Sequence, residues 1–297
     1  MLKNARYLFI ILNVPLMLFA QTNQCLDLFA KEYKTNEFNI SITGKKQAAK
    51  YLDAAYDNFN ITNDFIAANS LLAQISETGT LHLSQEQIKF IIQFRQNTSY
   101  LRSVFQTSTL KHKSPKKYAH FVRDFGHLKD MVLINESEKA KSMALHIISK
   151  YEHLDFNKLL TDIRPATKKS TKKYFESLIK KTTKIINQDI ITVDELHDVR
   201  KNMRDILRYL QIQNELQKAS QSTQSVSINL AQTESSQDSD QILFLKKTNN
   251  QLGKICDDNA ALIIQGLLSE KTPVEFPAKI KLRIQHFLEH YRIETTN

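Results

Sequence analysis

Residues 192–209 read TVDELHDVRKNMRDILRY. His197, Lys201, Arg204 and Arg208 follow one another at steps of four, three and four, which return to one side of a 3.6-residue helix. Leu196, Val199, Met203, Ile206 and Leu210 mark out an adjacent apolar strip, so the cations border a buried face instead of encircling the rod. Thr192 and Glu195 have the spacing of a capping box, which starts the helix. A row of cations beside a buried face predicts a wall that binds polyanions. A plain solvated basic face would produce the same pattern.

Working outward, helical periodicity dominates. Residues 43–59 and 62–76 read as an amphipathic pair, each with a threonine start. Ser84 and Gln87 form a second capping box, opening a helix to about Gln106. Ser114-Pro115 reads as an N-cap followed by proline at the first helical position, starting a long helix towards Lys150. Asp155 begins a short helix that stops before Pro165; a strongly basic helix spans 166–187, and the decisive one runs over 193–216. Residues 219–240, rich in Ser, Gln and Asp, have no sustained period and read as a polar loop. Helices resume over 241–268 and 278–291, separated by a turn at Pro273 and Pro277. No strand pattern longer than a few residues emerges, and 5 Gly, 5 Pro and no Trp in 297 residues argue against a turn-rich β architecture. The expected class is all-α, built of long antiparallel helices.

Lys3 and Arg6 precede an apolar run over 7–20 that ends in Leu18-Phe19-Ala20. This is the layout of a signal peptide, and the run is short of the roughly 20 predominantly apolar residues of a membrane span. Residues 1–20 are therefore expected to be removed, leaving a secreted or periplasmic protein without a transmembrane segment. Residues 21–80 then form an N-terminal helical segment. An oxidising compartment would allow Cys25 and Cys256 to pair, and their spacing equally allows two free thiols. Neither belongs to a metal-ligand cluster. Lys and Arg number 41 against 31 Asp and Glu, a net +10 that favours anionic partners without choosing among them.

The chain also echoes itself. FRQNTSYLRSVF (94–105) is followed by a helix with Phe125-Gly126 and Asp130; VRKNMRDILRYL (199–210) is followed by one with Leu252-Gly253 and Asp257. Arg95 precedes Gly126 by 31 residues and Arg200 precedes Gly253 by 53, a difference that matches the 22 residues of 219–240. An insertion in a duplicated helical hairpin accounts for both intervals. In these features the chain resembles the CHAD family, the conserved histidine α-helical domain. His197, Arg200, Lys201, Arg204 and Arg208-Tyr209, then Leu252-Gly253 and Asp257, look like its second half. Arg95, Leu101-Arg102, Phe125-Gly126 and Lys129-Asp130 look like a degenerate first half, with Ile92 where the histidine would stand. The resemblance covers about 80–292. It implies a CHAD-like domain over 81–292, with halves at about 81–154 and 155–292, built as two pseudo-symmetric helical bundles. Lys, Arg and His residues would line the surface between them and bind inorganic polyphosphate.

The candidate polyphosphate contacts are His197, Arg200, Lys201, Arg204 and Arg208, with Arg95 and Arg102 as first-half counterparts. Lys116, Lys117 and Arg123 would flank the same groove, and Lys246 and Lys247 would hold the matching place in the second half. Arg forks onto two oxygens, while Lys acts as an adaptable point charge. Asp130, Asp257 and Asp258 read as structural, holding basic side chains or pairing between helices. Gly126 and Gly253 read as packing positions. No P-loop, Gly-x-Ser-x-Gly elbow or His-Glu-x-x-His is present. The expectation is a non-enzymatic polyanion-binding protein without a cofactor or metal. Its rival is a helical module that binds another envelope protein. Specific nucleic-acid binding is not favoured, because few aromatics interleave with the basic residues.

Overall fold

The computed structural model describes residues 37–159, 163–221 and 239–295. The chain is all-α, with nine α-helices among the described residues. In chain order they are β1 (Phe38–Ile42), α1 (Lys45–Thr62), α2 (Phe65–Thr78), α3 (Gln85–Ser108), α4 (Lys116–Leu133), α5 (Ser137–Tyr151) and α6 (Lys168–Ile186). These are followed by β2 (Ile190–Thr192), α7 (Val193–Gln221), α8 (Asp240–Ile264), β3 (Pro273–Glu275), α9 (Ala278–His290) and β4 (Tyr291–Thr295). Helices α2, α3, α4 and α5 pack on one another, with α2 chiefly against α5 and α1 against α3; α6, α7, α8 and α9 form a second group, in which α9 packs on both α8 and α6. The two groups meet where α3 lies on α7 and α4 on α8. No helix among the described residues is long and apolar enough to cross a membrane.

The apolar strip that begins at Leu196 is buried throughout, so α7 presents its predicted face to the core. Its capping box is present: Glu195 donates its backbone N–H to Thr192 Oγ1 at 3.2 Å, and Thr192 donates its own to Glu195 Oε2 at 2.8 Å. The Ser84–Gln87 box at the start of α3 is likewise formed. Aromatic rings fill the space among α1 to α5. Phe94 lies 4.9 Å from Phe125, and Phe65 lies 4.4 Å from Phe156 between ring centroids. A buried carboxylate ties α4 to α5: Asp124 accepts from Lys150 Nζ at 2.8 Å, Tyr151 Oη at 2.6 Å and Arg123 Nε at 3.0 Å. Burial alone would raise its pKa; these donors overcome it and hold the carboxyl well below the usual range.

Several local expectations change. The N-terminal segment is not purely helical, because β1 pairs in parallel with β4 and buries Phe38, Ile40 and Ile42 completely. A shorter antiparallel pair joins β2 to β3. The long helix expected from Pro115 to Lys150 is two helices, α4 and α5, broken at Asn135. Its φ of 59° is the left-handed conformation that asparagine tolerates better than most residues. Thr80 donates its backbone N–H to Ser137 Oγ at 3.1 Å, clasping this break to the loop after α2. Gly79 opens that loop at φ 65°, and a Cβ there would collide with Ser137.

Thr62 ends α1, and Asp64 caps α2 by accepting from Ala67 N at 2.8 Å. Ser114 does not cap α4; its hydroxyl donates to the Arg102 carbonyl at 3.1 Å. The short helix after Asp155 is a 3₁₀ turn, Phe156–Lys158. α8 ends at Ile264, where the chain passes into Gly266 at φ 76°. The polar loop is shorter than 219–240, because α7 continues to Gln221 and α8 starts at Asp240; residues 222–238 lie outside the described residues. The expected signal peptide and Cys25 also lie outside them, and Cys256 is a buried free thiol.

Candidate functional site

A cavity of 830 Å³ opens where α3, α4, α7 and α8 meet. Arg95 and Arg102 reach it from α3, Lys113 from the α3–α4 loop, Lys116 and Arg123 from α4, and Lys201 from α7. Three histidines join them: His120 and His127 on α4 and His197 on α7. Three carboxylates, Asp130, Asp194 and Glu270, are also in the lining, so lysines and arginines outnumber carboxylates six to three.

The two basic rows converge. Arg95 and Arg102 on α3 face Arg200 and Arg204 on α7 closely enough that their charges help to lower the pKa values of Arg95 and Arg204. Burial, followed by Arg102, pushes the Arg95 guanidinium down to about 10. Burial also pushes Arg204 down to about 9, with Asp205 opposing and Arg102, Arg95 and Arg200 adding to the fall. Both stay protonated at neutral pH. Burial, then Lys201, Arg200, Arg204 and Arg102, pushes the His197 imidazole down to about 3. It is therefore neutral at physiological pH, not the charged donor that a phosphate contact would favour.

The α7 row divides according to what each side chain meets. His197 and Lys201 line the cavity, and Lys201 also pairs with Asp198 at 2.9 Å. Arg200 turns towards α8, where Nη1 donates to Asp257 Oδ1 at 3.3 Å. Arg204 lies in the α3–α7 seam behind the cavity, its Nη2 3.7 Å from Asp205. Arg208 is stacked 5.3 Å over the Tyr100 ring and donates to Gln211 Oε1 at 3.0 Å. The Nε atoms of Arg200, Arg204 and Arg208, and Nη2 of Arg204, are buried without a hydrogen-bond acceptor. Buried cationic donors without acceptors are costly, and an anion that reached them would relieve that cost.

Gly126 and Gly253 make room for arginines. A Cβ on Gly126 would lie 2.8 Å from Arg95 Nε, and one on Gly253 would lie 3.3 Å from Arg200 Nη2. The acids behave as expected: Asp130 pairs with Lys129 at 2.7 Å, and Asp257 receives both Arg200 at 3.3 Å and Lys129 at 3.7 Å.

Besides Arg200, Arg204 and Arg208, three further expected contacts fall outside the cavity lining. Lys117 is one residue, about 100°, off the α4 stripe and points to solvent. Lys246 and Lys247 lie near the opposite end of α8, roughly 20 Å along the helix from Ala260, with Lys247 facing Arg283 and Lys279. Among the lining residues, His120, His127 and Lys113 were not anticipated, nor was the α8 wall of Cys256, Ala260, Ile263 and Ile264. A signal for the histidines exists: Lys116, His120, Arg123 and His127 repeat the four-three-four stepping of the α7 row.

The chemistry available is that of dense N–H donors and positive charge on rigid helices. Among the described residues, no three His, Cys, Asp or Glu side chains gather as a metal site would require. Comparison with protein-family models, curated protein sequences and solved structures found no match in any of the three.

Proposed function

We propose that this protein is a non-catalytic polyanion-binding protein of the cell envelope, exported by a signal peptide, and that its ligand is inorganic polyphosphate or a similar phosphate-rich anion. The observation that carries the reading is the convergence of two arginine-bearing helices. Arg95 and Arg102 on α3 stand against His197, Lys201 and Arg204 on α7 beside an 830 Å³ cavity. Repulsion among like charges in a poorly solvated seam is tolerated better when an anion fills it.

The duplication reading, with its kinship to the CHAD family and its pair of related bundles, is supported by the two arginine–glycine contacts. Arg95 lies against Gly126 and Arg200 against Gly253, the same pairing in each repeat. The supporting contacts differ from the row first read on α7. Arg204 and Arg208 strengthen the field from within, and Arg95, Arg102, Lys201, Lys116 and Arg123 face the ligand.

Retention of long-chain polyphosphate tests this reading. Binding should weaken steeply as salt rises, because several charge contacts are screened together. Arg102→Gln with Lys201→Gln should weaken it at least about tenfold, each lost charged hydrogen bond counting for about 1.5–3 kcal/mol. Unchanged retention by that variant, in a folded protein, would remove the site. The rival reading, an envelope-protein interaction module, is favoured by a separate apolar hollow of 370 Å³. It is lined by Phe65, Phe94, Phe121, Phe125 and Phe156, with Ile148 exposed at its edge. Absence of polyphosphate binding even at low salt would favour that rival.

A further inference from the structure

The cavity has two chemically different sides, and only one suits a bare phosphate chain. Its α3, α4 and α7 walls, with the α3–α4 loop, supply six lysines and arginines and three histidines. The α8 wall supplies no charge at all: its lining residues are Cys256, Ala260, Ile263 and Ile264. Met131 near the end of α4 and Val193 at the start of α7 extend the apolar lining. Ile263 and Ile264 are only partly covered by protein.

A polyphosphate chain pressed against this wall would lose water from its oxygens and receive no donor in return. An apolar body placed there would leave water and gain, by about 25 cal/mol per Å² of surface covered. The charge excess is also limited, because Asp130, Asp194 and Glu270 stand against the six cations. One or two phosphate groups, each bringing about −1.5 to −2 at neutral pH as a monoester, would balance it.

Resting on the reading of this cavity as an anion site, we propose that its ligand is a phosphorylated amphiphile. A mono- or diphosphate head would lie among Arg95, Arg102, His197 and Lys201, and an apolar body would lie along Met131, Ala260, Ile263 and Ile264. Inorganic polyphosphate would then occupy only the head region and compete with the amphiphile.

Titration calorimetry on the folded full chain with hexyl, octyl and decyl phosphate, below their aggregation concentrations, tests this directly. Tripolyphosphate and decanol serve as the head-only and tail-only probes. Affinity should rise by about fourfold for each methylene added until the wall is covered, from about 0.8 kcal/mol per buried CH₂. Tripolyphosphate should displace decyl phosphate, and decanol should bind far more weakly. Ile263→Gln, at a partly exposed helical position, should flatten the chain-length dependence while tripolyphosphate binding stays within about twofold.

Tripolyphosphate binding with no chain-length dependence in the wild-type protein would overturn this inference and leave the polyanion reading standing. Failure of every anionic probe to bind would overturn both. Decanol binding as tightly as decyl phosphate would overturn the amphiphile assignment by removing the role of the head. The wild-type series decides the matter even if the variant is unstable.

Discussion

His197 sits at the N-terminal end of the α7 row with Lys201, Arg200, Arg204 and Arg102 around it, and it is the residue whose titration should report the seam. Its folded-state pKa, about 3, lies below the unfolded value of about 6.5. The unfolded chain therefore binds the extra proton first, and the stability tied to neutral His197 is complete above about pH 6.5 and falls as pH drops towards 3. Urea unfolding at a series of pH values should show that fall, with this group contributing at most about 1.4 kcal/mol per pH unit. His197→Asn should make the slope shallower between pH 6.5 and 4. The Asp124 carboxylate, held below its usual range, also loses stability in acid, but equally in both proteins. Equal slopes would contradict the burial of His197 among cations. At this scale the sequence was readable in part. His197, Lys201, Arg95 and Arg102 could be placed on stripes, whereas His120 and His127 were hidden because histidines interleaved with Lys and Arg look like ordinary surface residues.

Among elements, an arginine crosses a glycine at two contacts between helices. Arg95 passes Gly126 so tightly that an added methyl would meet its Nε at 2.8 Å, whereas a methyl on Gly253 would lie 3.3 Å from Arg200 Nη2. Gly126→Ala should therefore displace Arg95 and weaken tripolyphosphate binding about fivefold, near 1 kcal/mol. Gly253→Ala should change it by less than about twofold. Neither should unfold the protein, since alanine favours the helix by roughly 0.5–1 kcal/mol over glycine. The opposite order of effects in calorimetry would contradict this asymmetry.

Helices were legible because their period persists over several turns: α3 and α7 begin where their capping boxes indicate. The strand β1 was not, although FNISI alternates apolar and polar residues over its five positions. Five residues are too few to establish a period, and its partner β4 lies at the other end of the chain. The break at Asn135 was missed for a related reason. Apolar residues recur with helical spacing on both sides of it, and only the three residues Ile134, Asn135 and Glu136 separate α4 from α5.

At the scale of the whole molecule, the chain folds so that two basic helices far apart in sequence lie face to face. β1 helps to hold that arrangement: Gln213 of α7 donates to the Ser41 carbonyl at 2.6 Å, and Phe38 packs 5.0 Å from Phe244 of α8. The N-terminal segment thus contacts the helices that carry the second basic row, a role that its composition did not disclose. Net charge alone did not locate the site either, because the most lysine-rich helix, α6, keeps Lys169 and Lys173 in solvent away from the cavity.

That contrast supplies the most direct test of the central claim, that anions bind in the seam and not to the basic surface at large. Tripolyphosphate affinity would be measured by calorimetry at fixed ionic strength for two variants that each remove two positive charges. Arg102→Gln/Lys201→Gln should weaken binding at least about tenfold, a loss of about 1.4 kcal/mol or more. Lys169→Gln/Lys173→Gln should stay within about twofold of the wild-type protein. Equal losses in the two variants would mean that the cavity holds no defined site.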